Sequence, residues 1–236
     1  MQNHKVVSHD EWLAARKQLL VKEKEFTRLR DQLSQERREL PWERVDKNYV
    51  FDGPGGKETL AQLFDGRSQL VVYHFMFDPD WDAGCPHCSF WADNFNGISV
   101  HLSHRDVTMV AISRAPLAKL EAYHKRMGWS FKWLSSFGSD FNYDYYVSFT
   151  PEEVAKEQPY YNYRLNKSQK GLESVGISVF HKDADGTVFH TYSCYSRGVD
   201  MLNGAYHYLD LVPKGRDEAG HSNPQFWVRR HDEYKD

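Results

Sequence analysis

The sequence predicts an α/β domain, because two buried strands are each followed by a helical pattern. Residues 70–77 form a mostly apolar run of strand length, and apolar side chains then recur at helical spacing over residues 91–102. Residues 107–112 form a second apolar run, and the helical pattern after it reaches Gly128. This order of elements predicts a pair of parallel strands joined by a right-handed crossover.

A long charged helix is predicted before this domain. Ser8 and Glu11 have the spacing of a capping box, and the helical pattern runs to about Glu39 before Pro41 ends it. Apolar side chains recur every seven residues along it, at Trp12, Leu19, Phe26, Leu33 and Leu40. Two interpretations stay open: the stripe packs across the domain, or it forms a coiled-coil-like contact in a homodimer. We expect residues 1–45 to form an N-terminal helical arm.

The rest of the chain is divided by its composition. Residues 129–174 are rich in aromatic, Asn and Ser residues and weakly periodic, so we interpret them as an insertion carrying short helices and loops. Residues 177–180 and 187–192 are strand-like and flank a turn, which predicts a β-hairpin, and a final helix follows. We assign residues 46–212 to one domain and residues 213–236 to a C-terminal polar tail.

Composition and charge exclude several classes of function. The 236 residues carry a formal net charge of −3, which gives no basic surface for nucleic acid. No apolar run approaches the roughly 18 residues that span a bilayer, and the first residues lack the apolar block of a signal peptide. We therefore expect a cytoplasmic protein with neither a nucleic-acid nor a membrane partner. Its 3 Cys do not make a disulfide scaffold, so a Cys pair is more consistent with catalysis or metal binding.

A pair of cysteines lies where the first strand passes into its helix, in the sequence Gly84-Cys85-Pro86-His87-Cys88. Pro86 suits the first turn of a helix, which places Cys85 at the helix N-terminus and Cys88 one turn inside. The free N–H groups there favour a thiolate at Cys85, and Cys88 can close a disulfide with it. We therefore predict Cys85 as nucleophile and Cys88 as resolving thiol. A zinc site and a pair of unreactive buried thiols are the alternatives.

Other side chains near the motif are candidates for supporting roles. His87 between the thiols can stabilise the Cys85 thiolate, or it can be an ordinary exposed residue. Arg114 follows the second strand at the same sheet edge, where it can hold an anion or stabilise the thiolate, or else form a surface salt bridge. Trp81 can form part of a substrate wall or be a packing aromatic. His74 is either a proton shuttle or a hydrogen-bonded core residue. Cys194 is interpreted as a small buried apolar residue.

The order strand, CxxC helix, strand, helix, hairpin, helix resembles the thioredoxin fold. More closely, the chain resembles a bacterial family of thioredoxin-like proteins described only as predicted dithiol–disulfide oxidoreductases. The matching stretches are residues 75–77, 84–93, 113–116, 139–142, 190–193 and 215–218. This resemblance implies an α/β, thioredoxin-like fold with an N-terminal helical extension and an aromatic-rich insertion before the C-terminal hairpin. The lead-in over residues 51–73 also looks like that of peroxiredoxin-type relatives.

Two departures from the wider superfamily affect the expected chemistry. Thioredoxins carry a cis-proline before the first hairpin strand, whereas this chain has Val175 and Gly176 there. The resemblance implies substrate contact at this loop, so Gly176 and Ile177 are substrate-binding candidates, although docking of an extended protein substrate is weakened. Peroxiredoxins place Thr or Ser three residues before the reactive Cys, where this chain has Asp82. A carboxylate there disfavours a thiolate and weakens the case for peroxidase chemistry.

We therefore expect a thiol–disulfide oxidoreductase that needs no organic cofactor and no metal. Its predicted partner is a disulfide-containing protein or a small thiol, and the predicted assembly is a homodimer. The alternatives are a thiol-dependent peroxidase and a non-catalytic thioredoxin-fold protein that binds a partner at the same edge.

Overall fold

The structure is a computed structural model that describes residues 4–235. The chain divides into two compact units between Pro41 and Trp42. The helices are α1 (His9–Arg38), α2 (Pro86–Ala92), α3 (Ser99–Ser103), α4 (Leu117–Arg126), α5 (Phe141–Asp144), α6 (Pro151–Ala155) and α7 (Gly204–Leu209), with 3₁₀ turns at Gln62–Phe64 and Ser196–Leu202. The strands are β1 (Glu43–Arg44), β2 (Val50–Gly53), β3 (Gly56–Thr59), β4 (Gln69–His74), β5 (Val107–Ser113), β6 (Lys132–Ser135), β7 (Tyr160–Tyr161), β8 (Arg164–Leu165), β9 (Gly176–Lys182) and β10 (Val188–Tyr195).

Helix α1 forms the first unit and confirms the predicted long helix. Its N-terminus has the predicted capping box: the Glu11 N–H donates to Ser8 Oγ, and the Ser8 N–H donates to Glu11 Oε2 at 3.0 Å. None of its side chains is buried, and the apolar stripe is exposed at Trp12, Leu19, Phe26 and Leu33 of the helix and at Leu40 just after it.

The second unit is an α/β domain around a mixed sheet in the order β1-β10-β9-β4-β5-β6-β2-β3. Strands β4 and β5 are parallel, with Val72 opposite Val110, and helix α2 lies in the connection between them. Strand β9 pairs antiparallel with both β4 and β10, which confirms the predicted hairpin. The predicted parallel pair, hairpin and final helix occur in the predicted order. The fold is therefore α/β and thioredoxin-like, as predicted.

The two faces of the sheet bury separate apolar clusters. Along β4, Leu70 and Val72 belong to one cluster, whereas Tyr73 belongs to the other, because successive side chains of a strand point to opposite faces. The cluster that contains Tyr73 also contains Cys85 and Cys88. The motif is therefore built into one hydrophobic core and does not lie on an outer loop.

Two elements differ from the sequence prediction. The helical pattern over residues 91–102 is broken between α2 and α3, where the Asn94 side chain donates to the Phe90 and Trp91 carbonyls and Gly97 has φ +84. The predicted insertion, residues 129–174, begins with β6, which pairs parallel with β5 and extends the main sheet. The remaining part holds the short elements α5, α6, β7 and β8.

The C-terminal segment is not the simple polar tail that composition predicted over residues 213–236. Val228 is 2% exposed, and Trp227 packs against the core cluster that contains the two thiols. Trp227 Nε1 donates to Glu218 Oε1 at 2.8 Å, and the same oxygen accepts from the Tyr206 hydroxyl at 3.0 Å. Two apolar residues and this shared carboxylate attach the segment to the domain, despite its high content of charged residues.

Candidate active site

The chain after β4 positions the cysteine motif through backbone hydrogen bonds. The Phe75 N–H donates to the Ile112 carbonyl at 3.0 Å, and the Cys85 N–H donates to the Met76 carbonyl at 3.1 Å. Glycine is needed at position 84, because a Cβ there would lie 2.7 Å from the Phe75 ring and 2.9 Å from the Tyr123 ring. The motif is thus fixed against the end of the strand that precedes it.

Cys85 is the N-cap of α2, and Pro86 is its first helical residue, as the sequence predicted. The structure holds Cys85 and Cys88 as thiols that are 8% and 2% exposed. The hydrogen bond from the Cys88 side chain lowers the pKa of Cys85 well below its usual value, with help from His87 and against the effect of burial. Cys85 is therefore the thiol that ionises first.

Cys88 has the opposite electrostatic environment. Burial raises the pKa of Cys88 well above its usual value, and the charge of Cys85 raises it further. The backbone N–H of Met76, 3.4 Å from Cys88 Sγ, and the side chain of Tyr73 oppose this rise. The pair thus consists of one thiol set to act as a thiolate and one set to keep its proton.

Tyr73 is the buried hydroxyl nearest to this chemistry. Its side chain is 0% exposed, and its hydroxyl makes no hydrogen bond of standard geometry to a described N or O atom. Burial first, and then the charge of Cys88, raise the pKa of Tyr73 well above its usual value. The phenol is therefore neutral and has its O–H available to the Cys88 sulfur.

His87 is electrostatically coupled to Cys85. The hydrogen bond to Cys85 raises the pKa of His87, and the backbone carbonyl of Gln225 acts in the same direction. An imidazolium in this position stabilises the thiolate of Cys85 and hence the reduced form of the pair.

Replacing His87 with Ala is expected to raise the pKa of Cys85 and to slow its alkylation at mildly acidic pH. Removing the stabilised thiolate should also make the Cys85–Cys88 disulfide harder to reduce by tens of millivolts, where about 30 mV corresponds to 1.4 kcal/mol. Iodoacetamide labelling as a function of pH and a redox titration measure the two effects. An unchanged Cys85 pKa and an unchanged potential would show that His87 has no role in activating the thiol.

The C-terminal segment reaches the residue before Cys85. Both Nε and Nη2 of Arg230 donate to the Gly84 carbonyl, at 3.2 and 2.7 Å, and Nε also donates to the Tyr123 hydroxyl at 2.8 Å. The Tyr123 hydroxyl in turn lies 2.9 Å from Ser89 Oγ, which donates to the Cys85 carbonyl at 2.9 Å. Arg230 is therefore linked directly to the residue before Cys85 and, through Tyr123 and Ser89, to the Cys85 carbonyl.

A cavity of about 1090 Å³ opens beside the two thiols. Its lining includes Cys85, His87, Cys88, Tyr73, Tyr161, Glu173, Val175, Arg197, Lys214, Asp217, Glu218 and Gln225. Glu173 is 3% exposed and bonds through its two carboxylate oxygens to Arg114 and Ser148, both at 2.9 Å. Burial raises the pKa of Glu173 to about 8, against the opposing effects of Arg114 and Ser148.

The structure brings Cys85, His87 and Cys88 together at the cavity and places the other candidates elsewhere. The described residues that line the cavity do not include Trp81, Arg114, Gly176 or Ile177. Trp81 packs against the core, and its carbonyl accepts from Lys119. The Arg114 guanidinium contacts the carboxylate of Glu173, and Gly176 and Ile177 lie within paired strand β9. Their proposed contact with substrate stays a prediction.

Of the two interpretations of His74, a proton shuttle or a hydrogen-bonded core residue, the structure fits the second, and it is the neighbouring Tyr73 that lies at the thiols. His74 lies on the opposite face of β4, against the rings of Phe141 and Tyr145, and its Nε2 is 2.9 Å from Ser178 Oγ. Burial lowers the pKa of His74 to about 3, so it is a neutral core residue. Because successive side chains of a strand point to opposite faces of the sheet, the alternation along β4 is the sequence signal that distinguishes Tyr73 from His74.

Within residues 4–235, no three His, Cys, Asp or Glu side chains are grouped so that they could hold a metal ion. Over the same residues, none of the helices combines the length and the apolar character needed to cross a bilayer.

A model of the family described as "Bacterial protein of unknown function (DUF899)" matches residues 1–234. The chain belongs to this family. No curated protein matches the sequence. Because this family has no assigned activity, the dithiol–disulfide function expected from the resemblance stays a proposal.

Several solved peroxiredoxins are similar to this chain. A peroxiredoxin Q mutant from Xanthomonas campestris has a TM-score of 0.49 and 12% identity, covering 72% of this chain and 98% of its own. Peroxidoxin BcpB from Mycobacterium tuberculosis has a TM-score of 0.42 and 17% identity, covering 69% of this chain and 93% of its own. The mitochondrial 2-cys peroxiredoxin from Plasmodium falciparum has a TM-score of 0.41 and 12% identity, covering 76% and 95%.

Proposed function

We propose that this protein is a thiol–disulfide oxidoreductase whose reactive pair is Cys85 and Cys88. The observation that carries the proposal is the opposite tuning of two adjacent thiols at a helix start. The pKa of Cys85 is lowered by the hydrogen bond from Cys88, whereas burial raises the pKa of Cys88. A thiolate that attacks and a neighbour that keeps its proton until it is needed are the two groups that disulfide exchange requires.

The reaction begins at Cys85. Its thiolate attacks one sulfur of a substrate disulfide, forms a Cys85–substrate disulfide and releases the other substrate sulfur as a thiolate, which takes up a proton. The imidazolium of His87, coupled to Cys85, can supply that proton. Cys88 then loses its proton and attacks Cys85 Sγ, which breaks the mixed disulfide and releases the second substrate sulfur as a thiolate, and this thiolate takes up the proton that Cys88 has lost. The protein is oxidised by two electrons to the Cys85–Cys88 disulfide, and the substrate disulfide is reduced to two thiols.

The second attack is helped by groups around Cys88. Once Cys85 is bound in the mixed disulfide, its charge no longer raises the pKa of Cys88. The Met76 N–H and the Tyr73 hydroxyl then stay as hydrogen-bond donors for a Cys88 thiolate. The pair is thus arranged so that the resolving thiol is activated only after the first step.

The test compares a disulfide with a peroxide as oxidant of the reduced protein. We expect a small disulfide to convert the protein to the Cys85–Cys88 disulfide and to release two thiols per chain, counted by mass spectrometry and thiol assay. Hydrogen peroxide should react more slowly, because position 82 offers an exposed Asp and no hydroxyl. A protein that peroxide oxidises faster than any disulfide is a thiol peroxidase. One that neither oxidant changes is a non-catalytic binding protein.

We further propose that α1 is an assembly element that pairs with α1 of a second copy. Its side chains are unburied, and its apolar residues repeat every seven positions, which is the spacing of a coiled-coil contact. An exposed stripe of large apolar side chains is costly in water unless another surface covers it.

Substituting both Leu19 and Phe26 with Lys is expected to convert a dimer to a monomer, because it places charges within the stripe. Light scattering at micromolar concentration measures the change. A matched double variant on the opposite helix face, Lys24→Glu with Asp31→Lys, keeps the net charge and should stay dimeric. A wild-type chain that is already monomeric under these conditions contradicts the proposal.

A further inference from the structure

The cavity beside the thiols determines what can reach Cys85. The residue is 8% exposed and lies in the lining of the cavity of about 1090 Å³. Ligand pockets typically measure about 300–1,000 Å³, so this space suits a small organic molecule rather than hydrogen peroxide alone. Assigning a substrate class from this cavity depends on the proposed thiol–disulfide function.

Several backbone groups beside the thiols are already bonded within the domain. The Ser174 N–H donates to the Val147 carbonyl at 2.7 Å, and the Val175 carbonyl accepts from the Tyr161 hydroxyl at 2.8 Å. Gly176 is paired on both sides, with Tyr195 in β10 and with His74 in β4. Recognition of an extended protein segment by added main-chain hydrogen bonds needs unpaired N–H and C=O groups, and the Ser174 N–H and the Val175 carbonyl are already bonded within the domain.

The C-terminal segment occupies another approach to the motif. Trp227 packs edge-on against Phe90 of α2, with ring centroids 5.3 Å apart, and the backbone of Gln225 contacts His87. Arg230 holds the Gly84 carbonyl immediately before Cys85. A folded protein would have to displace this segment to present its disulfide to Cys85, whereas a small molecule can enter the cavity beside it.

The exposed part of the lining carries available charges of both signs. Within residues 4–235, the Lys214 ammonium and the Asp217 carboxylate make no hydrogen bond or ion pair. Glu218 accepts from two neutral donors, so its negative charge is not neutralised by an ion pair in the described chain. In contrast, the Arg216 guanidinium binds the carboxylates of Asp200 and Asp210.

We propose that the exchange partner is a low-molecular-weight disulfide, or its thiol, that bears both carboxylate and ammonium groups of amino-acid type. Lys214 would contact the carboxylate, and Asp217 and Glu218 would contact the ammonium group. The substrate disulfide lies against Cys85, and the steps are those given above: two protein thiols become a disulfide, and one substrate disulfide becomes two thiols. The reverse direction uses the same contacts.

The test is a single-turnover oxidation of the reduced full-length protein by three disulfides. Oxidised glutathione carries groups of both signs, hydroxyethyl disulfide is neutral, and insulin presents its disulfides on a protein. Each rate is divided by the rate of the same disulfide with free dithiothreitol at the same pH, which removes its intrinsic reactivity. We expect the normalised rate for oxidised glutathione to exceed that for insulin at least tenfold and that for hydroxyethyl disulfide severalfold.

A charge variant tests the contacts themselves. Lys214→Glu should lower the ratio of the glutathione rate to the hydroxyethyl disulfide rate at least threefold. Lys125→Glu changes an exposed Lys of α4 outside the cavity lining and should leave this ratio unchanged. A normalised insulin rate equal to that of oxidised glutathione, or an unchanged ratio in Lys214→Glu, overturns the substrate class. Failure of all three disulfides to oxidise the Cys pair overturns the proposed function instead.

Discussion

Replacing Cys88 with Ser is expected to stop the reaction at the mixed disulfide between Cys85 and substrate. A Ser hydroxyl can still donate a hydrogen bond to the Cys85 thiolate, so the first attack should survive. It does not ionise at neutral pH, however, so it cannot attack the mixed disulfide. We expect the lifetime of this intermediate to increase at least about 100-fold, which corresponds to about 2.7 kcal/mol in the barrier of the second step. Mass spectrometry of the quenched reaction detects the adduct on the peptide that contains Cys85.

Two further variants make this result specific. Cys85→Ser should form no adduct, because the thiol with the lowered pKa is absent. Cys194→Ser should behave as wild type, because Cys194 lies in β10 and is packed within the core cluster. Adduct formation on Cys88 in the Cys85→Ser protein at the wild-type rate would reverse the assigned roles of the two thiols.

Local sequence signals were sufficient for the motif and for the central strands. Pro86 fits the first turn of a helix and not its interior, so its position alone is enough to place Cys85 at the N-cap. The apolar runs that form β4 and β5 are bounded by polar residues and have strand length. The capping box at Ser8 likewise identifies the start of α1. In each case neighbouring residues in the chain determine the outcome.

Features that depend on contacts between residues far apart in the chain were not predicted from the sequence. The strand β6 has only four residues and lies in an aromatic segment, and its pairing with β5 makes it a strand. Arg230 contacts Gly84 across 146 positions of sequence, so neither residue alone predicts this contact at the cysteine helix. Glu173 acquires its raised pKa from burial beside Arg114 and Ser148, which composition does not show. The cavity wall formed by the C-terminal segment likewise arises from long-range packing and has no local signal.

Wild type is expected to lose stability as the pH rises, and replacing Glu173 with Gln is expected to prevent this loss. Burial raises the pKa of Glu173 from 4.5 to about 8. The folded protein therefore binds this proton more tightly than the unfolded chain. Stabilisation from the protonated form is fully present below the unfolded pKa and is lost as the pH rises through the folded pKa. Between these values the free energy of unfolding should fall by up to about 1.4 kcal/mol per pH unit.

Gln is neutral at every pH, and its amide can accept from Arg114 and donate to Ser148 in place of the protonated carboxyl group. Wild type and Glu173→Gln should therefore be similarly stable near pH 5, and the variant should become more stable by a few kcal/mol near pH 8. Urea unfolding at both pH values measures the difference in the free energy of unfolding between the two proteins. Contributions from groups that titrate in both proteins cancel in this difference. Glu152→Gln changes an exposed carboxylate in the first turn of α6 and serves as the matched control. If the stability difference does not change with pH, Glu173 is charged throughout this range, and its ion pair with Arg114 outweighs the effect of burial.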